Sequence, residues 1–290
     1  MRNIRKIYSA NSQHWVGDGF LVQPLFSHMG ADRGTDPFLM LDYAAPREFA
    51  PGNASHPRGV GQHPHKGFET VTIAYHGEVA HRDSTGGGGV IKEGDVQWMT
   101  AGAGIIHEEF HSEAFSQSGG LFEMVQLWVN LPAKDKNTPA RYQHLAKENI
   151  PVVQLPDNAG YLRLIAGACE GVQGAAETFT EMNVWDGVVN AGKEAVLNVP
   201  ASHSLSMVVL RGKATFNGKD TAGAGQLVRF EDGSGEVKIA AGDEEVKILL
   251  LSGVPIAEPV VGYGPFVMNT EQDIRQAIHD FNSGKFGQMD

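Results

Sequence analysis

Several things are scarce in this 290-residue chain, and each scarcity excludes something. Cysteine is nearly absent: Cys169 stands alone, so no disulfide can close within the chain, which fits a reducing compartment. Positive charge is in deficit, with 23 Lys and Arg against 34 Asp and Glu and a net charge of −11 with histidine neutral. That balance argues against non-specific binding to nucleic acid or to an anionic membrane, both of which draw on a basic surface. Long apolar runs are missing. No stretch approaches the ~20 residues needed to span a bilayer, and the opening MRNIRKIYSANSQHW lacks the apolar centre of a secretion signal. A cytoplasmic protein is the expectation. Helical periodicity is scarce as well, and the glycine-rich DSTGGGG (83–89) lacks the Lys-Ser/Thr ending of a phosphate loop, so it reads as a hairpin turn.

What is present is a succession of short apolar runs punctuated by Gly, Pro, Asp and Asn, the pattern of an all-β protein built from hairpins. Strands are expected over 68–75, 95–99, 122–130, 207–210 and 246–251. The charged, proline-punctuated LPAKDKNTPARYQHLAKENIP reads as a connection between two β modules. The expected division is therefore 1–135, a linker over 136–150, and 151–290. One helix closes the chain. Ile274, Ala277, Ile278 and Phe281 recur at helical spacing, and Thr270 with Asp273 forms a capping pair with Asp in the usual Glu position.

Two short patterns carry the chemistry, His63-Pro64-His65 and His107-Glu108-Glu109. Side chains at i and i+2 of a strand share a face, so His63 and His65 can converge, as can His107 and Glu109. Proline cannot donate to a sheet ladder, which puts His63-Pro64-His65 at an edge, a strand start or a bulge. A His-x-His alone is weak and reads equally as two surface histidines. Here it is followed by a strand, a hairpin, a second strand, a Gly-rich turn (Gly102-Ala103-Gly104) and a third histidine, which is the double motif of a cupin barrel. Three imidazoles and one carboxylate suit a first-row transition metal, zinc included. Glu69 shares the parity of the His pair and reads equally as a flanking group or a polar wall residue. Glu108 is expected to face solvent, and His111 to lie past the site. His76 and His81 are read as hairpin residues. His203, isolated in the second module, gives no reason to expect a metal there.

The stretches DPFLMLDY (36–43), HPHKGFETVT (63–72), GDVQWMTAGAGIIHEE (94–109), VQLWVNLP (125–132) and GPFVMNT (264–270) closely resemble the pirin family, and they run almost the length of the chain. The resemblance implies two tandem cupin (jelly-roll) β-barrels with a C-terminal helix. It implies one mononuclear Fe(II) site in the N-terminal barrel, on His63, His65, His107 and Glu109, with other divalent metals able to substitute. The C-terminal barrel is expected to bind no metal. Some pirins are quercetin 2,3-dioxygenases, which open a flavonol with dioxygen and release carbon monoxide. An oxidoreductase acting on a flavonol-like aromatic is thus implied, with Glu109 as the base; Phe38, Phe68, Trp98, Met99 and Phe122 are candidates for an apolar pocket wall, with core packing the favoured reading of any single one. The alternative is an iron-dependent, redox-sensing regulator that binds a transcription factor or a metabolic enzyme. A monomer is expected in either case, without direct contact to nucleic acid or membrane.

Overall fold

The structure, a computed structural model, describes residues 1–30 and 34–289. The expected strands form: Phe68–His76, Gly120–Asn130, Ser204–Arg211 and Val246–Gly253 extend beyond their apolar runs, and Val96–Thr100 is displaced by one residue. No helix among the described residues is long and apolar enough to cross a membrane.

The chain divides into two compact units, but not at one point in sequence. One comprises Met1–Asn11, Arg33–Pro37 and Glu148–Pro255; the other comprises Ser12–Asp32, Phe38–Lys147 and Ile256–Asp290. This redraws the boundaries expected at 136–150. Strand β1 (Ile4–Ser9) pairs antiparallel with Gln226–Phe230, so the N-terminal residues serve the second barrel. The supposed linker contains a strand, Arg141–Leu145, that pairs with Val96–Thr100 in the first barrel. Charge and proline hid its partners, because an edge strand needs apolar residues on one face at most.

The first barrel is built from β2 (His14–Val16), β3 (Phe20–Ser27), β4 (Phe38–Phe49), β5 (Gly59–His65), β6 (Phe68–His76), β7 (Val79–Asp83), β8 (Gly88–Ile91), β9 (Val96–Thr100), β10 (Ile105–His111), β11 (Gly120–Asn130) and β12 (Arg141–Leu145). A seven-stranded sheet runs β12-β9-β6-β11-β4-β3-β2, and a four-stranded sheet runs β5-β10-β7-β8. The inner faces meet over Phe20, Ala74, Phe122 and Met124 from the large sheet and Val79 and Ile91 from the small one.

The second barrel repeats the plan. Its large sheet runs β1, Gln226–Phe230, Ser204–Arg211, Val246–Gly253, Met182–Val189, Gly160–Ala166, Val152–Leu155; its small sheet runs Glu194–Asn198, Glu236–Ala241, Lys213–Phe216, Asp220–Gly223. One apolar cluster fills it, including Leu164, Trp185, Leu197, Val209, Phe216 and Ile239. Each such side chain taken from water contributes roughly 1.5–3 kcal/mol before entropic costs.

The C-terminal helix (Glu271–Asn282) begins at Thr270. Thr270 Oγ1 accepts from Asp273 N at 3.1 Å, and Thr270 N donates to Asp273 Oδ2 at 3.0 Å, the capping box read from the sequence. Its Ile274 and Ala277 pack on Phe266, Met268 and Phe286, with Ile106 of β10 beside them. The helix thus belongs to the first barrel's unit and lies outside the strand that carries His107.

Candidate metal centre

Strand register assembles the site. In the small sheet β10 lies between β5 and β7, with His107 opposite His63 on one side and Asp83 on the other. Glu109 lies opposite His81. Alternation then puts His63, His65, His107, Glu109, His81 and Asp83 on a single face, the inner one. Pro64 is accommodated because β5 is an edge strand, and the register shifts between His63 and Val60, where β5 carries one residue more than β10. Gly67 turns the chain into β6 at φ +89°, and a Cβ there would strike the Val267 carbonyl. Lys136 Nζ pins that turn by donating to the Gly67 carbonyl at 2.8 Å and the Val267 carbonyl at 3.0 Å.

The three predicted histidines come together. Ring centroids are 4.2 Å apart for His63 and His107, and 4.9 Å for both His63–His65 and His65–His107. A ligand nitrogen from each lies within 4.8 Å of the others. His65 and His107 are buried while His63 is half-buried. Burial, then the neighbouring imidazoles, hold His65 and His107 well below the usual histidine range, so both are neutral with lone pairs available. His63 Nδ1 lies 2.8 Å from the Gly61 carbonyl, which fixes its proton there and frees Nε2. His107 Nε2 and His65 Nδ1 are buried with no hydrogen-bond partner. Unpartnered ring nitrogens inside a barrel are costly unless something binds them, and a divalent ion fits this donor set.

Glu109 falls in a second trio, with His107 and His81. Its Oε1 accepts from Thr72 Oγ1 at 3.2 Å and from Gln97 Nε2 at 3.4 Å, both long bonds. Thr72 sits opposite Gln97 and Gln126 in the large sheet, so the carboxylate rests on a polar ladder.

His81 departs from the hairpin role expected of it. It is 1% exposed, Nδ1 lies 3.3 Å from His107 Nδ1, and Nε2 lies 3.1 Å from Asp83 Oδ2. Its ring stacks on Tyr142 at 5.0 Å and 17°. Burial, with Glu109, Asp83 and Asp95 adding to it, pushes the Tyr142 hydroxyl up to about 12. A signal was available in sequence, since His81-Arg82-Asp83 has the same i, i+2 spacing as the two recognised pairs.

Other expectations sort by face. Glu69 lies opposite Thr100 on the face of β6 that alternates with Thr70 and Thr72, and it accepts from Thr100 Oγ1 at 2.7 Å. The Lys66-Gly67 turn breaks the parity that linked it to the His pair. Burial raises its carboxyl to about 7 despite the Thr100 hydrogen bond. Glu108 points to the other face, as expected, but pairs with Arg82 Nε at 2.8 Å instead of being solvated. His111 lies beyond the site, 3.0 Å from the Gly19 carbonyl and among Phe49 and Phe122. Of the five proposed wall residues, Phe68 reaches the site, 5.2 Å from the His65 ring. Phe122 packs in the Phe20, Phe49 and Phe115 cluster, and Met99 packs with Ala101 and Ile105. Trp128, not singled out from the sequence, is half-buried and lies 5.3 Å from His65 and 4.3 Å from Phe68. In the second barrel His203 has partners for both nitrogens, Ser252 Oγ and Glu181 Oε1, each at 3.1 Å.

The pirin family profile matches residues 19–129, and the profile of the pirin C-terminal cupin domain matches 184–287. The crystal structure of a quercetin 2,3-dioxygenase from Acinetobacter baumannii is 51% identical, with a TM-score of 0.95 over 99% of each chain. A Pseudomonas aeruginosa protein, PA2418, with a provisional quercetin 2,3-dioxygenase name, is 51% identical over 286 residues, 99% of each chain. Pirin-like protein 2 of Arabidopsis thaliana is 35% identical over 309 residues, covering 99% of this chain and 91% of the plant protein.

Proposed function

This chain belongs to the pirin family of two-cupin proteins, and from that premise we propose that it is a metal-dependent dioxygenase that opens a flavonol such as quercetin. The ion, Fe(II) in this reading, is held by His63, His65, His107 and Glu109. The observation that carries the reading is the set of three inward imidazoles, each offering a ring nitrogen within 4.8 Å of the others, beside a carboxylate. Bound there, a divalent metal would add acidity to a substrate hydroxyl and one-electron chemistry toward dioxygen.

The protein's own groups supply the rest. Glu109 is held by two long hydrogen bonds and can turn toward the histidines or accept the proton of an enolic hydroxyl. Thr72 and Gln97 then receive the carboxylate back. Trp128 and Phe68 offer a flat apolar surface beside His65, against which an aromatic ring can lie. Half-buried His63, Gln126 and Trp128 mark the side from which such a ring would enter. The deep location of His107 and Glu109 keeps bulk water from the acceptor.

The test is direct. Iron-loaded protein mixed with quercetin in air bleaches the flavonol absorption and releases carbon monoxide. Absence of both with Fe, Cu, Ni, Co and Mn alike would reject the dioxygenase reading.

A further inference from the structure

We infer that Asp83 and His81 form a relay that fixes the tautomer of His107 and so makes its Nε2 the metal-binding atom. The inference rests on the metal reading above but makes a claim of its own, about where protons sit in the metal-free protein.

A carboxylate only accepts, so the 3.1 Å contact between Asp83 Oδ2 and His81 Nε2 requires a proton on that nitrogen. When that is the only proton on the ring, Nδ1 carries a lone pair. Across 3.3 Å stands His107 Nδ1, which must be the donor. His107, also neutral, carries its single proton there and leaves Nε2 bare. That atom is buried and without a partner. With Asp83 ionised and a single proton on His81, every later assignment follows; a second proton on His81 would reverse the last one and put the His107 proton on Nε2.

The ends of the relay are held. Asp83 Oδ1 accepts from Thr85 N at 2.8 Å, Thr85 Oγ1 at 2.6 Å and Gly87 N at 3.2 Å, so the hairpin turn orients the carboxylate and leaves Oδ2 for His81. Although burial opposes ionisation, the bonds from His81 and Thr85 outweigh it and hold the carboxyl down at about 2. A side chain at Gly87 would displace this carboxylate, because its Cβ would lie 2.7 Å from Asp83 Oδ2. Tyr142 holds the His81 plane from the face. His81 is thereby a positioning residue and not a ligand, because its Nδ1 is engaged by His107.

The hairpin also supplies a near-isosteric test. In Asp83→Asn the amide oxygen must take the three turn donors, which forces the NH2 against His81 Nε2. His81 then accepts on Nε2 and donates from Nδ1. His107 must accept on Nδ1 and hold its proton on Nε2, where it blocks the metal. In metal-free wild type, nitrogen-resolved imidazole NMR is expected to show the His107 proton on Nδ1, and in Asp83→Asn on Nε2. Fe(II) affinity, measured anaerobically against a competing chelator, should fall about 10- to 100-fold, the usual cost of losing such an outer partner. His81→Phe keeps a ring against Tyr142 but offers no acceptor, and the same direction of loss is expected.

A wild-type His107 proton on Nε2, an unchanged tautomer in Asp83→Asn, or Fe(II) affinity within twofold of wild type in both variants would overturn the relay. So would X-ray absorption counting four imidazoles on the ion. If wild type binds no Fe(II) at all, the metal reading fails, and the metal-free spectra still decide the relay.

Discussion

The two barrels share one strand plan and spend it differently. In the small sheet of the first, the three neighbouring strands turn inward His63 and His65, His107 and Glu109, and His81 and Asp83. In the small sheet of the second, the strands in the same order turn inward Ala195 and Leu197, Val237 and Ile239, and Ala214 and Phe216. Each pair has the same i, i+2 spacing. The frame therefore aims six side chains at a common centre whatever they are. Apolar residues there make a core, while imidazoles and carboxylates make a candidate metal site whose unpartnered nitrogens cost stability. The contrast between the two barrels lies on one sheet face.

Making the first face resemble the second tests this most strongly. The double change His65→Leu and His107→Leu should abolish Fe(II) retention and flavonol turnover, a loss of at least about a thousandfold in affinity given the size of metal–ligand free energies. The metal-free variant should melt at or above the wild-type temperature, because two buried polar rings are replaced by apolar ones. Retained stoichiometric iron, or a barrel that no longer folds, would break the comparison.

A smaller effect comes from the buried carboxyl of Glu69, raised to about 7 by its surroundings. The folded state holds this proton more tightly than the unfolded chain does. The stability it contributes is complete below about pH 4.5 and is lost as pH rises through 7. Glu69→Gln should therefore be more stable than wild type at pH 8, by an amount on the order of 3 kcal/mol, and nearly equal at pH 4. Parallel melting curves at the two pH values check it. Equal differences at both would mean that Glu69 does not own the pH dependence.

Much of this was legible in the residues. Strands followed their apolar runs, and the capping pair at Thr270 and Asp273 was read correctly because local hydrogen bonding decides it. The His63, His65 and His107 convergence followed from strand alternation plus the intervening hairpin. What escaped depended on partners distant in the chain. Ile4–Ser9 pairs with Gln226–Phe230, and Arg141–Leu145 with Val96–Thr100, so no boundary drawn at one place could be right. Glu69 stayed open between two readings because parity could not be carried across the Lys66-Gly67 turn; its bond from Thr100 fits the polar wall residue. His81 was set aside although its own spacing from Asp83 pointed inward; its importance emerges only when β7 is registered against β10.

The central claim is that three imidazoles and one carboxylate of the first barrel meet on a single ion. X-ray absorption on anaerobically iron-loaded protein, combined with elemental analysis, measures it directly. The account predicts one iron per chain, with scattering from three imidazoles and a carboxylate oxygen. Protein that retains no iron, or iron bound by fewer than three imidazoles, would contradict it.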